Sequence, residues 1–169
     1  MFKVGEYIIY KRDLCKVKGI EQSPITGEDY YSLSPVQDES LSIKVSTNNK
    51  LGNLRYPITK KEAEELIKKI PNIEPIKVND KSQDNAYKEL MKTNNHEDLI
   101  KIIKTTYLRN ELRLNQGKKI TNQNQLYFEQ AEKYLYNELG YALKKDYEEC
   151  KKYIIEKLTE ISRENKDAN

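Results

Sequence analysis

The hydrophobic period of this chain changes once, at Pro57-Ile58-Thr59, and that change confines it to two differently built parts. Before it, apolar residues alternate in twos. Residues 4–11 (Val-Gly-Glu-Tyr-Ile-Ile-Tyr-Lys) open the pattern, Leu14 to Ile20 continues it, and Asp29 to Ser34 and Leu41 to Val45 repeat it, which is the signature of half-buried strands. The turn-rich stretches Ser23-Pro24-Ile25-Thr26-Gly27 and Gln37-Asp38-Glu39-Ser40 separate the runs, and Leu54-Arg55-Tyr56 is a last short candidate strand,. So few short strands do not make an immunoglobulin sandwich. They suit a small, strongly bent barrel of SH3-like or Tudor-like size.

After Pro57 the spacing is three and four. Thr59 followed by Glu62 reads as a capping box opening a helix from Lys60 to Ile70, with Ala63, Leu66, Ile67 and Ile70 on one side,. Pro71-Asn72-Ile73-Glu74-Pro75 breaks it,. Further helices are predicted over Lys81 to Thr93, over Glu97 to Gln116 with Gly117 as a stop, from a Thr121 cap to near Gly140, and from Asp146 through Ile161,. The expected fold is therefore α+β: a small N-terminal Tudor/SH3-like β-barrel followed by an all-α helical bundle. The expected division is residues 1–70 as the first domain with a closing helix, 71–80 as a linker and 81–169 as the helical domain.

Most enzyme classes find no support. His96 is the single histidine, which removes multi-histidine metal sites and leaves any nucleophile system dependent on one residue that reads as a polar helix start,. The six glycines form no phosphate-cradling motif,. Carboxylate pairs such as Glu64-Glu65 and Glu148-Glu149 lie in lysine-flanked helical stretches and read as solvated faces,. Two distant cysteines, Cys15 and Cys150, suggest neither a metal knuckle nor a disulfide framework, so a reducing cytoplasm is the expectation,. No run is long and apolar enough for a membrane span, and the opening residues do not read as a leader,. The chain is expected to be no enzyme and to need no cofactor or metal.

Net charge is only +3, but its distribution is uneven. Between Lys101 and Lys119 stand Lys101, Lys104, Arg109, Arg113, Lys118 and Lys119 against the single anion Glu111, whereas from Ile120 onward anions outnumber cations. At 100° per residue, Lys101, Lys104 and Arg109 share an arc with Arg113 at its edge, opposite Leu99, Ile103, Tyr107 and Leu114,. A solvated face normally interleaves both signs. A face with one sign suits phosphates, and four such contacts would give a salt slope of about −3 to −4. Thirteen tyrosines are a second bias; Tyr30, Tyr31 and Tyr56 could cover a barrel core, stand at an interface or frame an aromatic cage,.

Phe2-Lys3-Val4-Gly5-Glu6-Tyr7-Ile8-Ile9-Tyr10, then Val17-Lys18-Gly19-Ile20-Glu21, Tyr31-Ser32-Leu33 and Leu41-Ser42-Ile43-Lys44-Val45 form an ordered set. With Leu99 to Arg109, Gly117-Lys118-Lys119-Ile120-Thr121 and Ala131 to Leu139, it resembles the CarD/CdnL family of bacterial transcription regulators, whose first domain is shared with transcription-repair coupling factors. The resemblance runs over about residues 1–143. It implies a Tudor-like domain that adds a strand to the β subunit of bacterial RNA polymerase, with Ser23, Ile25, Ser42, Ile43, Lys44 and Val45 at polymerase-facing positions. It also implies a helical domain resting on promoter DNA at the upstream edge of the melted bubble, a monomeric state and a cytoplasmic, nucleoid-associated location. Ser23 stands where actinobacterial members have Arg. The family's minor-groove Trp is missing, and Lys77 or Asp80 takes its place by position,. DNA contact would then rest on Lys77, Lys101, Lys104, Arg109, Arg113, Lys118 and Lys119, largely through the backbone. The competing expectations are a protein-interaction module or polymerase adaptor without DNA binding, and an RNA-binding Tudor/SH3-like protein.

Overall fold

The computed structural model describes residues 1–168 and divides them into two compact units, Met1–Ile58 and Thr59–Asn169, the last residue lying outside the description. The first unit is a five-stranded antiparallel sheet and the second holds five α-helices, so the chain is α+β.

The strands are β1 (Tyr7–Tyr10), β2 (Asp13–Gln22), β3 (Asp29–Pro35), β4 (Ile43–Ser46) and β5 (Leu54–Arg55), in the spatial order β4-β3-β2-β1-β5. Period-two alternation puts Ile8, Cys15, Val17, Tyr31 and Leu33 on one buried face, where Leu54 joins them and Ile43 and Val45 pack alongside,. The expected closure does not occur: β4 and β5 end the sheet and do not pair with each other. Alternation sets which side chains face a core, but closing a barrel also needs stagger between the end strands, and the two-residue β5 is too short to supply it,. Of the three roles open to Tyr30, Tyr31 and Tyr56, covering the core is the one Tyr31 takes. Phe2 meets Tyr31 and Tyr56 edge-to-face with centroids 5.8 and 4.9 Å away, and Tyr56 donates to the Glu6 carboxylate at 3.0 Å.

In the second unit, α1 spans Lys60–Lys69, α2 Gln83–Lys92, α3 His96–Asn115, α4 Asn122–Leu143 and α5 Tyr147–Asp167. The caps read from sequence are present. Thr59 and Glu62 form the reciprocal box, Thr121 accepts from Asn124 N–H at 3.2 Å and Asp146 accepts from Glu149 N–H at 2.8 Å,. The division of the chain differs from the expectation. Rather than closing the sheet domain, α1 turns its buried Ala63, Leu66 and Ile67 inside the helical unit, which packs it on α4 and α5. Tyr153 on α5 donates to Glu64 on α1 at 2.7 Å. Residues 71–80 are also not a free linker. Ile76 N–H donates to Thr105 Oγ1 at 2.9 Å, and Arg109 donates to the Val78 carbonyl at 2.5 Å.

The fourth helix outruns its expected end at Gly140 by three residues. Gly140 serves a close approach rather than a stop: a Cβ there would lie 2.7 Å from the Lys145 carbonyl oxygen and 3.5 Å from Cys150 Cβ. Backbone cannot give way as a flexible side chain does. Gly140→Ala is therefore expected to cost about 2–3 kcal/mol by overpacking, read as a lowered denaturant midpoint at unchanged slope.

Candidate functional site

Two surfaces carry the residues singled out by sequence, one in each unit. In the sheet unit the surface is the free side of β4. The register pairs Tyr30 with Ser46, Tyr31 with Val45, Ser32 with Lys44 and Leu33 with Ile43, and Thr47 N–H continues it by donating to the Asp29 carbonyl at 3.1 Å. Hydrogen-bonded and open pairs alternate along an antiparallel ladder. Since Asp29 and Thr47 are a bonded pair, so are Tyr31–Val45 and Leu33–Ile43. The peptide groups of Lys44 and Ser46 consequently point away from β3, and no backbone bond reaches them from that outer side among the described residues.

The side chains divide the same way. Ile43 and Val45, expected at the partner, lie instead against their own core, because period two sends them to the buried face,. Lys44 and Ser42 remain outward. Lys44 Nζ lies 3.0 Å from Glu21 Oε2 across β3, both exposed, and Ser42 Oγ is 3.1 Å from Ser32 Oγ. Ser23 organises the β2–β3 turn: its Oγ accepts from the N–H groups of Ile25 and Thr26, both at 3.3 Å. That leaves Ile25 92% exposed at the end of the sheet where β4 finishes. Ser46, absent from the sequence-based set, belongs to it by register alone.

In the helical unit the cations of α3 do not form one free stripe. Its buried side runs through Leu99, Ile102, Thr105, Thr106 and Asn110, whereas Tyr107 and Leu114, expected inside, are 53% and 52% exposed. Three cations have work within the fold. Lys104 Nζ caps the carbonyls of Ile70 and Ile73, the latter at 2.7 Å, where α1 runs into a 3-10 turn at Pro71, and burial lowers its ammonium's pKa,. Arg109 reaches Asp80 at 2.7 Å and Gln83 at 3.0 Å besides Val78. Lys101 pairs with Asp98 at 3.5 Å.

The remaining cations are differently placed. Arg113 donates from Nε to the Lys119 carbonyl at 2.7 Å, while Lys77, Lys118 and Lys119 are exposed and pair with no carboxylate among the described residues. Gly117, at φ +71°, makes the left-handed turn that returns Lys118 N–H to the Arg113 carbonyl at 2.8 Å,. The lysines after Gly117 and the last arginine of α3 are neighbours for that reason.

No family model matches the chain, and no curated protein is similar to it at a meaningful level. The titratable groups elsewhere are built into the fold. Cys15 and Cys150 are buried, and burial pushes their thiols up to about 12 and about 11, which keeps them protonated and unreactive at neutral pH,. His96 Nε2 lies 2.9 Å from buried Glu138 Oε1. Among the described residues no cluster of three His, Cys, Asp or Glu side chains could hold a metal ion, and no helix is long and apolar enough to cross a membrane.

Glu132, buried on α4, has its carboxyl pKa raised first by burial, which outweighs the pull of Lys151 Nζ at 3.5 Å,. A carboxyl whose folded pKa lies above its unfolded one favours folding below the unfolded value and loses that contribution as pH climbs toward the folded value. Glu132→Gln should raise the melting temperature at pH 7 and should raise it less at pH 4, as followed by thermal melts at both pH values.

Proposed function

We propose that this chain is a non-enzymatic, CarD-like transcription regulator. Its sheet unit binds the β subunit of RNA polymerase by strand addition, and its helical unit rests on promoter DNA, modulating how long the open complex lasts. The observation that carries the reading is the free edge of β4, where the outward peptide groups of Lys44 and Ser46 offer two donors and two acceptors in strand geometry. Added strands take affinity from such groups and specificity from alternate side chains, here Ser42 and Lys44. Natural sheets usually blunt an end strand. The single lysine on β4 is a light guard, and its charge is already matched by Glu21.

Lys77, Arg113, Lys118 and Lys119 are the cations left for DNA. They support a backbone grip without base readout. Weak DNA affinity suffices once the polymerase contact raises the local concentration of the helical unit. The sheet unit is read as a Tudor-like module by its strand number and size, with its sheet left open.

A second reading, a polymerase adaptor that does not touch DNA, is favoured by the exposed apolar residues Tyr107, Leu108, Leu112 and Leu114 on α3, which suit a protein partner better than a phosphate backbone,. Biolayer interferometry against the isolated β-lobe and, separately, forked promoter DNA distinguishes the two. The regulator binds both, and the adaptor binds the lobe alone. A chain that binds neither contradicts the proposal.

A further inference from the structure

A cavity of about 370 Å³ opens in the helical unit between α3, the Gly117 turn and the start of α4. Its walls carry three cations, Arg109, Arg113 and Lys118, and one anion, Asp80. Asp80 is already matched by Arg109, and the excess of two positive charges therefore belongs to Arg113 and Lys118. With Nε bonded to the Lys119 carbonyl, Arg113 keeps both terminal nitrogens without a protein partner among the described residues. Such a held guanidinium presents the fork that matches two oxygens of one oxyanion.

The rest of the lining is suited to the same ligand. Thr121 and Asn124 belong to the first turn of the 22-residue α4, which adds the partial positive charge of a helix start,. Gln83 fixes the floor by donating to Tyr87 at 2.7 Å and to Asn124 at 2.5 Å. Leu112 is the one apolar side chain among the lining residues, and no aromatic ring is there to stack on a base. Concave walls of one sign concentrate counter-ions, and the volume sits at the small end of ligand sites, which start at about 300 Å³.

We propose that this cavity binds a small, multiply charged phosphate-class oxyanion, with Arg113 as the fork and Lys118 as the closing charge. The proposal does not rest on the transcription reading. The anion can be a free phosphate compound or a phosphate of a nucleic-acid backbone, since both present the same oxygens.

Isothermal titration of the full chain with pyrophosphate at constant ionic strength tests it. One saturable site is expected with a Kd below about 1 mM. Arg113→Ala and Lys118→Ala should each weaken it by at least about tenfold, and Arg113→Lys should also weaken it, having lost the fork. Lys152→Ala, on the exposed side of α5 and outside the cavity, should leave it unchanged. Because Lys118 is exposed, its variant keeps the test valid even if Arg113→Ala disturbs the Gly117 turn. Duplex DNA that displaces pyrophosphate assigns the site to backbone phosphate, and DNA that does not assigns it to a free anion; either result supports the proposal. No saturable binding, or an affinity that survives both Ala variants, overturns it, even if the chain binds DNA.

Discussion

Lys44→Pro is expected to weaken binding to the polymerase β-lobe by at least about a hundredfold while leaving the sheet unit folded. The Lys44 N–H faces outward, so proline removes a donor that no strand of the chain uses. The residue before a proline must be extended, and Ile43 already is,. The lost Lys44–Glu21 pair is exposed at both ends and contributes about 1 kcal/mol or less,. Lys44→Ala, which keeps the N–H, should lower affinity only about severalfold. Ile43→Pro would be a poor test. The N–H of Ile43 bonds inward to β3 and its side chain covers the core, so that variant would lose binding by unfolding. Retention of lobe binding by Lys44→Pro, with a normal melting curve, would rule out strand addition at β4.

The second large effect separates the cations of α3 and its exit turn by job. Arg109→Ala removes bonds to Asp80, Gln83 and the Val78 carbonyl and should cost about 2–3 kcal/mol of stability, because it orphans a part-buried carbonyl and an amide,. The double change Lys118→Ala with Lys119→Ala should do the opposite. With no ion pair to lose, stability should stay within about 0.5 kcal/mol, while the salt slope of DNA binding should fall by about 2. Urea unfolding and a salt titration of fluorescence anisotropy read the two effects. An unchanged slope in the double variant would leave the adaptor reading in place of the DNA-contacting one.

Much of the chain was legible because the signals are local. The Thr59–Glu62 box, the Thr121 and Asp146 caps, the Gly117 stop and the period-two runs each depend on residues within one turn or one strand, and all appear in the structure. What failed was non-local. The capping box announced α1 but could not say that Ala63, Leu66 and Ile67 would be buried inside the helical unit and not close the sheet domain. Alternation announced β4 as a strand, but Ile43 and Val45, expected at a partner, lie on the core, and the sheet stays open.

The cations show the same limit. A helical wheel places Lys104 and Arg109 beside Lys101, but their partners lie about thirty residues earlier, at Ile70, Ile73, Val78 and Asp80. One hint was available: a proline directly after a helix leaves final carbonyls in want of donors, and a lysine is a common answer. Gly140 gave no such hint, since its need comes from the chain that folds back at Lys145.

The lifetime of the open promoter complex, followed on cognate polymerase with and without this protein, tests the central claim most directly. The wild-type chain should change the decay rate of the heparin-challenged complex, and Lys44→Pro should return it to the rate of polymerase alone. A lifetime unaffected by the wild-type chain at saturating concentration, or equally altered by Lys44→Pro, would contradict a regulator held in place by the β4 edge.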